Sequence, residues 1–181
     1  MNGREVVLGV CGGIAAYKTA MLASKLVQRG AGVTVVMTAV AEKFIGRATF
    51  AALTGRAVVI DAIDPEHFPL GPHIDLAESG EVLCVAPATA NFLAKAAQGA
   101  ADDALTTLYL AFTGRVLIAP AMNSAMWEKA AVQRNVSQLR EDGVTIIDPG
   151  EGWQSCRRQG AGRMAEPEEI VLAIERALSG K

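Results

Sequence analysis

Aromatic side chains are scarce in this sequence, at 5% of 181 residues, and cysteine and histidine are scarcer, at three and two. Cys11, Cys84 and Cys156 are widely spaced, odd in number and form no C-x-x-C pair, which argues against both a disulfide framework and a zinc site; no metal is expected. No run of lysine and arginine occurs, and a formal net charge of −2 gives no electrostatic reason to expect nucleic acid or an anionic membrane as partner, so a small molecule is the expected one. A long hydrophobic run is missing too. The first residues, Met1 to Glu5, are largely polar, and the apolar stretch after them is interrupted by Gly9, Gly12 and Gly13, so neither a signal peptide nor a membrane span fits and a cytoplasmic protein is expected.

What is present is apolar residue in quantity: 51% of the chain is hydrophobic and 20% charged, enough burial to offset the entropy of ordering one core. Residues 1–181 are expected to form a single domain. Glu5–Val10, Val33–Met37, Ala57–Ile60, Val82–Ala86, Val116–Ala119 and Val144–Ile147 read as short strands, and their continuous apolarity suits a parallel sheet covered on both faces. Helical spacing follows Gly12-Gly13 up to Gly30, then covers Val40–Leu53 with Gly46 a possible break, Ala88–Ala97, Asp103–Phe112, Ser124–Asp142, and a last helix opened by Pro167 with Glu168 and Glu169 in its first turn. Asp61–Pro72 reads as irregular, and the glycine-rich Gly150–Gly162 as a loop. The pattern predicts an α/β fold: a doubly wound, Rossmann-like parallel sheet of about six strands in three layers, with its ligand beyond the carboxyl ends of the strands.

Residues suited to a ligand fall at those ends. Gly12-Gly13 would let a backbone approach a phosphate at a helix N-terminus, although it lacks the G-x-G-x-x-G spacing and equally fits a bare tight turn. In Pro87-Ala88-Thr89-Ala90-Asn91, Thr89 could cap a helix or bond a phosphate, and Asn91 could meet a ring edge or the backbone. Two such turns on adjacent strands favour a mononucleotide. His73 could be a surface or capping histidine, Asn123 a helix cap, and Cys156 an idle thiol, while Met126 and Trp127 read as packing residues.

Gly12-Gly13-Ile14-Ala15-Ala16-Tyr17-Lys18, His73-Ile74-Asp75-Leu76, Pro87–Asn91, Pro120-Ala121-Met122-Asn123-Ser124-Ala125-Met126-Trp127 and Cys156 with Gly162-Arg163-Met164 occur in this order. Together they resemble the homo-oligomeric flavin-containing cysteine decarboxylases, from about Val6 to Pro167. The resemblance implies an FMN phosphate around Gly12, Gly13, Ile14, Thr38 and Ala88, Thr89, Ala90 and Asn91, the flavin ring near Met122, and a trimer, or a multiple of trimers, with the flavin site at a subunit interface. It also implies His73 as catalytic base, Asn123 as the group that binds the carboxylate-bearing end of the substrate, and Cys156, on a loop that closes as a lid, as proton donor.

Within that family the nearest activity is decarboxylation of phosphopantothenoylcysteine to phosphopantetheine in coenzyme A biosynthesis, a carboxy-lyase reaction. A peptidyl-cysteine decarboxylase, a flavin prenyltransferase and a non-catalytic flavin-binding regulatory subunit are the alternatives. The first would stop at an enethiol and need no lid cysteine; the second lacks the His73 and Asn123 arrangement; the third would be expected to have lost His73, Asn123 or Cys156. The family's usual glycine after the lid cysteine is Arg157 here, followed by Arg158, and one of these is expected to contact the substrate phosphate.

Overall fold

The apolar runs assemble into one sheet. The computed structural model describes residues 1–180. The first half of the chain forms β1 (Glu5–Val10), α1 (Ala16–Gln28), β2 (Gly32–Met37), α2 (Arg47–Thr54), β3 (Val58–Val59), α3 (Pro72–Ser79), β4 (Val82–Ala88) and α4 (Ala90–Gln98). The second half forms α5 (Ala104–Ala111), β5 (Arg115–Pro120), α6 (Ser124–Trp127), α7 (Ala130–Glu141), β6 (Thr145–Ile146), β7 (Gly150–Trp153), β8 (Gln159–Arg163) and α8 (Pro167–Leu178). Six strands pair in parallel in the order β3-β2-β1-β4-β5-β6, as the doubly wound reading expects.

Alternation along the strands divides the core in two. Val6, Leu8 and Val10 of β1 join Leu22 and Leu26 of α1, Phe50 of α2 and Ile170 and Ile174 of α8 on one face. Val7 and Cys11 join Leu76, Phe92, Leu93, Leu105 and Leu139 from α3, α4, α5 and α7 on the other. Each large aliphatic side chain removed from water in this way contributes about 1.5–3 kcal/mol. Helix α8 has Pro167 in its first turn and a capping box in which the Glu166 N–H donates to Glu169 Oε2 at 2.8 Å. Glu168 then bridges to Lys25 of α1 and to Arg29, its C-cap, and the two salt bridges bring the carboxyl down to about 2, Lys25 contributing most and Arg29 next.

Several boundaries differ from the sequence reading. Val40–Leu53 is a 3-10 turn at Ala41–Lys43 followed by α2, whose N-cap is Gly46, so the suspected break is real. Ser124–Asp142 is two helices, parted at Glu128 and Lys129. The third and sixth strands keep two residues each. Ala88 ends β4 rather than beginning a helix, and α4 starts after the Thr89 cap. The largest correction concerns Gly150–Gly162, which is an antiparallel hairpin of β7 and β8. Glycine has low strand propensity, but here backbone pairing and the seat beneath the hairpin override it.

Candidate active site

Strand order reverses between β1 and β4, so the connections leaving these two strands diverge and open a crevice above their carboxyl ends. The tips are tied together by the Cys11 N–H donating to the Pro87 carbonyl at 3.1 Å and the Ala121 N–H donating to that of Ala88 at 2.9 Å. Two adjoining cavities sit there. One, of about 360 Å³, is lined by Gly12, Gly13, Ile14, Tyr17, Lys18, Thr89, Ala90, Met122, Met126 and the hairpin residues Trp153, Gln154 and Ser155, among others. Its neighbour, of about 440 Å³, includes Cys11, Gly12, Thr38, Val40, Thr89, Ala90, Asn91, Lys95, Asp103 and Met126. A larger cavity, about 610 Å³, lies at the opposite, amino end of β5 and β6 and contains none of the residues singled out from the sequence.

The two glycines of the first turn do different things. A Cβ on Gly12 would sit 2.7 Å from Val40 Cβ and 2.9 Å from its carbonyl carbon, so this glycine is demanded by packing. A Cβ on Gly13 would meet nothing closer than 4.0 Å and would project into open space. Helix α1 begins beside it without a side-chain cap; the Ala16 and Lys18 N–H groups donate to the Gly13 and Ala15 carbonyls within the turn, and Gly13, Ile14, Ala15 and Tyr17 line the crevice. Across the crevice, Thr89 does cap α4, its Oγ1 accepting the Phe92 N–H at 3.3 Å, while still lining both cavities. The two helix starts and the apolar wall of Ile14, Met122, Met126 and Trp153 line the same crevice, a lining whose chemistry suits a group with a phosphate and a flat ring.

Charge at the site is held in place by pairing. Lys18, only 5% exposed, donates to the Met164 carbonyl at 3.3 Å and to Glu166 Oε1 at 2.9 Å. That bond holds the Glu166 carboxyl below its ordinary value. Lys95 binds Asp102 at 2.6 Å and Asp103 at 3.3 Å at the edge of the second cavity. Cys11, on the floor, is pushed up to about 12 chiefly by burial, so its thiol stays protonated and unreactive.

Gly12, Gly13, Ile14, Thr38, Thr89, Ala90, Asn91 and Met122 thus converge on the paired cavities. Ala88 does not: it is fully buried in the sheet. His73, Asn123 and Cys156 lie outside the lining of both. Asn123 caps α6, its Oδ1 accepting the Met126 N–H at 2.9 Å, which leaves its amide nitrogen available. Cys156 is exposed at the hairpin tip beside Arg157, which has φ +63°. That left-handed conformation is one that glycine adopts without strain and arginine does not. His73 is in the first turn of α3, with Nδ1 buried and unpartnered among the described residues. An unpaired polar atom of this kind costs about 1–3 kcal/mol.

Tyr17, Met126, Trp153 and Gln154 were not expected as site residues. Met126 lies in α6 just beyond the strand tip at Pro120, whereas Gln154 enters only because the glycine-rich segment folds back as a hairpin.

A model of the Flavoprotein family matches residues 1–179. The chain is 48% identical to the coenzyme A biosynthesis bifunctional protein CoaBC of Bacillus subtilis over 97% of its own length and 43% of that protein. It is 44% identical to the protein of the same name from Vibrio cholerae over all of its own length and 45% of that one. It therefore spans less than half the length of these relatives. Among solved structures, the FMN-dependent cysteine decarboxylase SpaF is 38% identical with a TM-score of 0.84, over 97% of this chain and 98% of that one. A cysteine-to-serine mutant of PPC decarboxylase complexed with pantothenoylaminoethenethiol is 28% identical with a TM-score of 0.85, over 98% and 99% of the two chains. The two helix starts, the apolar wall and the hairpin therefore lie in a chain that belongs to the Flavoprotein family.

Proposed function

We propose that this chain binds FMN at the paired strand-tip cavities and decarboxylates phosphopantothenoylcysteine to phosphopantetheine, as a carboxy-lyase of coenzyme A biosynthesis. One observation carries the reading: Gly13 and the start of α1, which has no side-chain cap, face Thr89 and the start of α4 across a crevice walled by Met122 and roofed by the hairpin that bears Cys156. Similarity to CoaBC proteins and to a PPC decarboxylase supports the substrate, and similarity to an FMN-dependent cysteine decarboxylase supports the cofactor.

FMN, when bound, supplies the electron sink that carries the thiol-bearing carbon to a thioaldehyde, so that CO₂ can leave, and then returns the electrons to the enethiolate. The chain's own residues do the rest. N–H groups at the start of α1 and the Thr89 hydroxyl hold the phosphate, and Met122, Met126 and Ile14 exclude water from the ring. His73 takes a proton from the substrate at the oxidation stage. Asn123, with Oδ1 committed to its cap, offers its amide N–H to the substrate carboxylate without adding a charge that would favour the ionised ground state. Cys156 gives a proton to the carbon that has lost CO₂.

A homo-oligomer, trimeric by resemblance, is part of the same reading. Ile14, Tyr17, Met21, Val40 and Phe44 are all about half exposed or more around the mouth of the site, an apolar surface that a second copy would cover. Since His73 lines neither cavity of its own chain, a neighbouring copy's His73 completes the site. A soluble protein acting in the cytoplasm accords with there being no helix, among the described residues, long and apolar enough to cross a membrane.

The test is incubation of the FMN-loaded protein with phosphopantothenoylcysteine and mass analysis of the product. The expected product has lost the mass of CO₂ and is saturated; no mass change refutes the activity. An unsaturated product two hydrogens lighter would instead favour the peptidyl-cysteine type of decarboxylase.

A further inference from the structure

Gln154 is a buried polar side chain, 8% exposed, and every polar atom of its amide is in use. Oε1 accepts from both the N–H and the hydroxyl of Ser124 at 3.2 Å, and Nε2 donates to the carbonyls of Ala161 at 2.9 Å and Gly160 at 3.5 Å. The same Oε1 accepts the Cys156 S–H at 3.5 Å. One amide thus joins the returning strand of the hairpin, the first turn of α6 next to Asn123, and the thiol. Around it the hairpin lies flush on the strand-tip segment: the Met122 N–H donates to the Gly162 carbonyl at 2.9 Å. A Cβ on Gly160 would meet the Ser124 hydroxyl, and one on Gly162 the Met122 carbonyl.

Three donors share one carbonyl oxygen that has two lone pairs, which makes each bond long and leaves the thiol's the weakest. The oxygen therefore stays satisfied by Ser124 when the thiol's hydrogen departs. A buried amide that depended on the thiol alone would be left unpaired at that moment, at a cost that opposes the transfer.

We propose that Gln154 is a positioning residue, a latch that closes the hairpin on α6 and aims the Cys156 thiol at the substrate carbon. The catalytic half of this rests on Cys156 being the proton donor. In that step the Cys156 S–H bond breaks and a C–H bond forms at the carbon that lost CO₂, while bound FMN, in its reduced form, would supply the hydride for the neighbouring sulfur-bearing carbon. The cysteine thiolate then recovers its proton from solvent, so the net change is carboxylate plus proton to CO₂ plus a new C–H bond.

The experiment has two arms, run on FMN-loaded wild type, Gln154→Ala, Gln154→Glu and Ser124→Ala. Amide hydrogen exchange across residues 159–163 reads the latch without turnover. Gln154→Ala is expected to speed it about tenfold, and Ser124→Ala, which removes one donor to the amide oxygen and the hydroxyl packed on Gly160 but leaves Gln154 in place, by a few-fold. The ratio of saturated to unsaturated product reads the aim, and is expected to fall about ten- to a hundredfold in Gln154→Ala. Glu fills the same volume but sets a carboxylate oxygen against the Gly160 and Ala161 carbonyls, so Gln154→Glu should lose the ratio as fully as Ala; a wild-type ratio there would reduce Gln154 to packing and overturn the proposal. Unchanged exchange in Ser124→Ala and in the Gln154 variants overturns the latch. If Gln154→Ala does not fold, the other two variants still decide. Cys156→Ser is the control: if it makes only saturated product, the proton-donor reading fails, and the exchange arm judges the latch alone.

Discussion

Alanine at Gly12 and at Gly13 should fail in opposite ways, because the neighbouring glycines face different surroundings. At Gly12 the new methyl group would press on Val40 at 2.7 Å from its Cβ and 2.9 Å from its carbonyl carbon, and backbone on one side cannot rotate away. Overpacking of that kind costs about 1–3 kcal/mol, to be read as a lower urea midpoint of the FMN-free protein at unchanged m-value. At Gly13 the nearest atom is 4.0 Å away and the backbone is not in the left-handed region. Gly13→Ala should then hold stability or raise it by about 0.4–1 kcal/mol through the unfolded chain. Its methyl group instead occupies the space proposed for the phosphate. Loss of one charge-assisted hydrogen bond there, about 1.5–3 kcal/mol, weakens FMN binding roughly ten- to a hundredfold, measured by quenching of flavin fluorescence. Wild-type FMN affinity in Gly13→Ala would refute the phosphate placement, however the Gly12 variant behaves.

Other outcomes follow from the same structure. His73→Asn should take up FMN and yet show no substrate-dependent bleaching of the flavin band; retained bleaching removes its role as base. Alkylation of the native protein at pH 8 should modify Cys156 alone, since burial holds both Cys11 and Cys84 at about 12, and mass mapping would show any second site. Arg157→Gly should relax the φ +63° turn, with a gain of about 1–2 kcal/mol from strain offset by about 0.4–1 kcal/mol of added chain entropy, seen as slower exchange at the hairpin tip. If Arg157 or Arg158 also holds the substrate phosphate, alanine at both positions raises KM for phosphopantothenoylcysteine and leaves KM for the dephosphorylated compound unchanged. The Glu168 carboxyl, lowered to about 2 by Lys25 and Arg29, stabilises the fold above the ordinary carboxylate range and stops doing so as pH falls towards 2; Glu168→Gln should flatten the acid slope of stability in that window.

The sheet was legible because its strands are buried on both faces, and unbroken runs such as Glu5–Val10 and Val82–Ala86 have no other comfortable home. Cavity residues at the strand tips were legible for the related reason that parallel sheets bind ligands there. Hairpin β7–β8 was not: Gly150, Gly152, Gly160 and Gly162 carry no strand signal, and what makes them a hairpin is the seat on Met122 and Ser124, a long-range contact. Gln154 went unseen with it, since a glutamine in a glycine-rich stretch looks solvated until the stretch folds back. Residue-level roles for His73, Asn123 and Cys156 came from resemblance, and all three lie outside the cavity lining of the single chain.

The most direct test is an equilibrium titration of the FMN-free protein with FMN, followed by the visible flavin spectrum and by chain-to-flavin stoichiometry. One FMN per chain, bound at micromolar concentration or tighter and displaced by Gly13→Val, is the predicted result. A protein that remains colourless, or binds FMN as well in Gly13→Val as in wild type, contradicts a flavin cradle at the strand tips.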